Sequence, residues 1–117
     1  MADVCGDLVG EIRYSSDLTF EEVGELEVSL QERLECVLAD FNPVYLEVRT
    51  TGDELVFVSS LTVCQVEELR EVCRVLGELL GPGAKGRMVF VEHRFGPVTG
   101  WIFTALGYDE TEVFGQI

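Results

Sequence analysis

The period of the apolar residues switches repeatedly between two and about 3.6 along this chain, and that succession restricts the fold more than any other feature. Alternation marks a strand with one buried face, because successive side chains point to opposite sides. A 3.6-residue period marks a helix with one buried stripe. Residues 8–14 alternate, with Leu8, Ile12 and Tyr14 opposite Glu11 and Arg13. Ser15-Ser16-Asp17 reads as a turn, and Thr19 stands three residues before Glu22, the capping box that opens a helix. Over residues 20–40 Val23, Leu26, Leu30, Leu34 and Val37 fall on one stripe at about 100° per residue.

Asn42-Pro43 ends that helix, since the residue before a proline is driven out of the helical region. Residues 44–49 alternate again, Thr51-Gly52-Asp53 supplies a hairpin turn, and residues 54–59 return as a strand. Thr62 followed by Gln65 reads as a second capping box. The second helix then runs to about residue 80, with Val66, Leu69, Cys73, Leu76 and Leu80 as its stripe, and stops at Gly81-Pro82-Gly83. Residues 87–92 and 101–106 are strands joined through a Phe95-Gly96-Pro97 connection, and residues 108–117 form a tail with strand character at Val113-Phe114.

Strand, helix, strand, strand, helix, strand, strand is the order of an α+β domain. Its first six elements match the split βαβ (βαββαβ) arrangement of ferredoxin-like folds, an antiparallel sheet with two helices on one face, here with an extra C-terminal hairpin strand. The 117 residues suit one domain, 1–117. With 47% hydrophobic residues and 3 Pro, the chain has the means to build a core, which argues against disorder. No apolar run approaches the ~18 residues of a membrane span. The opening Met-Ala-Asp-Val-Cys-Gly-Asp lacks the basic start and apolar middle of a signal peptide, so a cytoplasmic location and reduced thiols are expected.

Charge narrows the function. Eight Lys+Arg against 22 Asp+Glu leaves a net charge of −14, which disfavours unassisted binding to nucleic acid or anionic lipid and favours a basic protein surface. The charge is uneven: in residues 79–108, Lys85, Arg87 and Arg94 outnumber the lone acid, Glu92. On the first helix Glu21, Glu25, Glu32 and Glu35 fall on the face opposite the apolar stripe, with no lysine at i+4 to offset their repulsion. On the second, Glu67, Glu71 and Glu78 recur outside, flanked by Arg70 and Arg74. These seven carboxylates are the candidate partner-binding set.

Catalytic chemistry finds little purchase. Cys5, Cys36, Cys64 and Cys73 contain no CxxC pair, so no metal centre and no cofactor are expected. Cys64, near the start of the second helix and off its stripe, is the candidate reactive thiol, opposed by Glu67 and Glu68. His93 is the sole histidine and has no companion motif. Gly81-Pro82-Gly83-Ala84-Lys85-Gly86 spells GxGxxG but follows a helix and precedes a strand, the reverse of a dinucleotide site.

Several strands are apolar on both faces: Val56 and Val58 point away from Leu55 and Phe57, and Val89 and Val91 away from Met88 and Phe90. Such a face needs a cover, and a homodimer through the open sheet is expected ahead of a cap formed by Phe114 and Ile117. The leading functional expectation is a non-catalytic acidic interaction module that binds a basic protein surface as a partial mimic of nucleic acid, inhibiting a DNA- or RNA-binding machine. One alternative is a sheet-mediated dimer, sensor or enzyme, with a small-ligand pocket at His93, Trp101 and Phe103. A subunit or assembly factor of a larger complex is the other.

Overall fold

A computed structural model describes residues 3–63 and 65–115. Thr19 caps the first helix as its sequence predicts: the Glu22 amide donates to Thr19 Oγ1 (3.2 Å) and the Thr19 amide donates to Glu22 Oε1 (2.9 Å). Helix α1 (Phe20–Leu38) ends in a 3-10 turn, Ala39–Phe41, closed by Asn42 in a left-handed conformation that asparagine tolerates. Six strands complete the fold, β1 (Gly6–Arg13), β2 (Pro43–Thr50), β3 (Glu54–Leu61), β4 (Lys85–Glu92), β5 (Val98–Thr104) and β6 (Gly107–Phe114), with α2 (Val66–Leu79) between β3 and β4. They form one antiparallel sheet in the order β2-β3-β1-β4-β5-β6. The α+β class holds, and the sheet has six strands. The tail is no cap but a full edge strand paired to β5, and Phe114 at its end is exposed, while Ile117 lies outside the described residues.

Alternation decides which face is dry. On β1, Gly6, Leu8, Gly10 and Ile12 are buried while Val9 and Arg13 are exposed. The same side carries Leu55 and Phe57 of β3, Met88 and Phe90 of β4, and Trp101 and Phe103 of β5. Against it pack Leu30, Leu34 and Leu38 of α1 and Leu69, Val72, Cys73 and Leu76 of α2, so both helices cover one face. The pairing brings aromatic rings over strand glycines: a Cβ on Gly10 would lie within 3.0 Å of three ring atoms of Phe57, and one on Gly86 would collide likewise with Phe103. These close approaches explain why glycine interrupts two strands that alternate well elsewhere.

One capping expectation fails. Thr62 does not cap α2; its hydroxyl donates to the Asn42 carbonyl (2.7 Å), and the helix starts later, at Val66, with Gln65 as an N-cap that makes no side-chain bond. The physical reason is the length of β3, which runs on to Leu61 and carries Thr62 beside the 3-10 turn. Expected thiols also need correction: Cys36 and Cys73 are free, whereas Cys5 is disulfide-bonded. No helix of the described residues is long and apolar enough to cross a membrane.

Candidate functional site

Helix α1 turns its core stripe inward and leaves its acids in water. Glu21, Glu25, Glu32 and Glu35 are all exposed, and at about 100° per residue they occupy an arc of about 80°. Among the described residues none of the four enters an ion pair or a side-chain hydrogen bond. Other acids of the helix do have structural work. Glu22 serves the cap, and hydrogen bonding to the Thr19 backbone holds its carboxyl below the ordinary range. Glu27 accepts from the Tyr14 hydroxyl at 2.9 Å, and burial followed by that bond pushes the Tyr14 phenol well up. The outer row is therefore the unpaired remainder, spread over about 21 Å of helix at 1.5 Å per residue.

The second helix is different. Arg74 binds both Glu71, with Nε to Oε2 at 3.0 Å, and Glu78, and hydrogen bonding from Arg74 holds the Glu71 carboxyl down. Glu67 is exposed and enters no ion pair among the described residues. Arg70 reaches away from the helix to Glu110 of β6, in a two-point contact of 2.7 and 2.9 Å. Glu110 also accepts from Trp101 Nε1 at 2.7 Å, so one carboxylate fastens the edge strand to α2 and to β5. The acidic face read from the sequence on α2 is thus half neutralised by its own arginine, whereas the row on α1 has no such partner among the described residues.

His93, Trp101 and Phe103 do not meet. Trp101 and Phe103 are 2% and 1% exposed and point into the core beneath the helices. His93 follows β4 and bonds through Nε2 to Asp7 Oδ2 at 2.8 Å, while Ser60 donates to Asp7 Oδ1 at 2.6 Å. Ser60, then His93, hold the Asp7 carboxyl below its usual value. This differs from a nucleophile arrangement, in which the imidazole must receive the serine proton; here Ser60 gives its hydrogen to the carboxylate. Beside His93 lies a shallow depression of about 200 Å³, formed with Asp3, Val4, Cys5, Glu92 and Arg94.

The remaining chemistry is sparse. Cys64 lies outside the described residues. Burial drives the Cys73 thiol up to about 12, which leaves it a small core hydrophobe. Among the described residues no group of three or more His, Cys, Asp or Glu side chains is placed to hold a metal ion. Asp7, Ser60 and Glu110 were invisible to sequence reasoning, because their partners lie 86, 53 and 40 positions away and no spacing rule links them. The sequence matches no protein-family model, and no curated protein and no solved structure matches it.

Proposed function

We propose that the chain is a non-catalytic interaction module that docks the outer face of α1 onto a basic protein surface. The observation that carries this reading is the row Glu21, Glu25, Glu32 and Glu35, exposed and unpaired on a molecule whose other helix binds two of its carboxylates with its own arginine. Helix energetics would favour compensating lysines at i+4, so the row forgoes local stability. Four carboxylates in about 21 Å give one charge per ~7 Å, roughly half the linear density of one DNA strand at one per ~3.4 Å. A row of that density suits the cationic face of a nucleic-acid-binding protein as a partial phosphate mimic. Its affinity then rests on shape as well as on charge. In the same reading β2-β3-β1-β4, with a helix after β1 and another after β3, is a split βαβ core extended by β5 and β6.

A small-ligand role at His93, Trp101 and Phe103 draws no support from the geometry, since two of the three line the core and Glu110 already occupies the indole N–H. Calorimetric titration with an arginine-rich peptide in rising sodium chloride tests the docking proposal. Affinity should fall steadily as salt screens the row; affinity indifferent to ionic strength would overturn it.

A further inference from the structure

The face of the sheet away from the helices is bare. Val9, Val58, Val89, Val91, Ile102 and Val113 all lie on it, and register makes Val58, Val9 and Val89 direct cross-strand neighbours through its centre. Val9 is 44% and Ile102 62% exposed. We infer that this face is the contact surface of a homodimer, two copies stacked sheet to sheet with their helices outward. The inference is independent of the role proposed for α1.

Three observations select a second copy as the occupant. The first is area. Six strands at about 4.8 Å spacing and eight residues at about 3.4 Å make a face of roughly 29 by 27 Å. Two such faces bury about 1,500 Å², within the ~1,200–2,000 Å² of a stable specific interface.

Charge is the second. By register this face carries four cations, Arg13, Arg49, Lys85 and Arg87, against five carboxylates, Asp7, Glu11, Glu47, Glu54 and Asp109. It therefore holds one of the fourteen excess negative charges. Five of these nine charged groups are partnered within the face: Arg87 pairs with Glu11, Arg49 with Glu47 at 2.7 Å, and Asp7 with Ser60 and His93. Two copies of so acidic a chain meet at low electrostatic cost through a near-neutral face. Sheets packed about 10 Å apart with helices outside hold the two α1 rows some 30 Å or more apart, several screening lengths at physiological salt.

The third observation disfavours the edges. Strand β6 presents Asp109, Glu110 and Glu112, so pairing it with its own copy sets acids against acids, and β2 begins with Pro43 and an irregular register. Face-to-face stacking of twisted antiparallel sheets has neither obstacle.

Sedimentation equilibrium reads the result directly. The wild-type chain should show twice the monomer mass of 13.0 kDa. Val9→Lys and Ile102→Lys, each a change at an exposed position, should raise the dimer dissociation constant about thirtyfold or more with far-UV circular dichroism unchanged. Glu32→Lys on α1 should leave the mass as it is. Should Val9→Lys fail to fold, Ile102→Lys tests the same face from β5, two strands away. A wild-type chain that stays monomeric at about 100 μM, far above an ordinary dimer constant, would overturn the inference, and the face would then belong to a foreign partner. Folded lysine variants that keep the wild-type mass would overturn it equally.

Discussion

Alanine normally stabilises a strand relative to glycine by about 0.5–1 kcal/mol, because glycine loses more freedom on folding. At Gly10 the structure predicts the opposite sign. The position is directly cross-strand from Phe57, whose ring is fully buried, and an alanine Cβ would fall within 3.0 Å of three of its ring atoms. The ring is hemmed in by the helices and has to leave its rotamer or push the strand, an overpacking cost of about 1–3 kcal/mol. Subtracting the entropic gain leaves Gly10→Ala about 0.5–2 kcal/mol less stable than wild type. With a urea m-value of about 1–3 kcal/mol/M, the midpoint drops by roughly 0.2–2 M. A double-mutant cycle isolates the cause: in a Phe57→Leu background the same Gly10→Ala change should be neutral or stabilising by up to about 1 kcal/mol. As a control, Gly24→Ala on exposed α1, where nothing stands within 4 Å, should stabilise by about 0.5–1 kcal/mol. A wild-type or higher midpoint for Gly10→Ala, or an equal loss in both backgrounds, would refute the ring-over-glycine account.

Glu110→Ala leaves the Trp101 indole N–H without its acceptor, and should cost about 1–3 kcal/mol with a red shift in the emission of this single tryptophan; unchanged fluorescence would contradict the contact. Leu30→Ala and Leu76→Ala each empty a fully buried site between helix and sheet and should cost about 2–5 kcal/mol in urea unfolding, whereas a loss below 1 kcal/mol would place that helix outside the core. Acid should destabilise the fold through its depressed carboxylates, Asp7 and Glu110 together with Glu22 and Glu71. Ser60 and His93 hold Asp7 below its ordinary 3.8, and Arg70 with Trp101 holds Glu110 below its ordinary 4.5. Their folded values are depressed, so their contribution is complete above the ordinary values and is lost as pH falls through the folded ones. The urea midpoint should therefore decline below about pH 4, and Asp7→Asn with Glu110→Gln should flatten that decline; an equally steep decline in the double variant would count against these two groups.

The sequence was most informative where local physics alone governs. The Thr19–Glu22 box and the stripe on α1 depend on neighbours three and four residues apart, and both stand where periodicity put them. The outward Val56, Val58, Val89 and Val91 follow from strand alternation in the same way. Where a distant residue decides, legibility ended. Thr62 carried a capping signature, yet the extension of β3 gave its hydroxyl a different acceptor. Strand β4 begins at Lys85 rather than Arg87, with Gly86 and Lys85 paired to Ile12 and Arg13 of β1, partners that no window around Gly86 contains. Strand β6 lacked an apolar signal since it is exposed along its whole length and is fastened by Glu110 to partners on α2 and β5. The site divides likewise: exposure of the α1 glutamates followed from their helical phase, while the neutralisation of Glu71 and Glu78 by one arginine required the rotamers.

The docking claim is tested most directly by moving charge at constant total. Reversing Glu21, Glu25, Glu32 and Glu35 to lysine takes the net charge from −14 by eight units to −6. Reversing the exposed Asp17, Asp53, Asp109 and Glu112 to lysine changes it by the same amount while leaving α1 intact. Titrated with one arginine-rich peptide at one ionic strength, the α1 variant should lose binding and the control should retain most of it. Equal affinities for the two variants would show that net charge alone attracts the peptide and that the helix face has no special part in it.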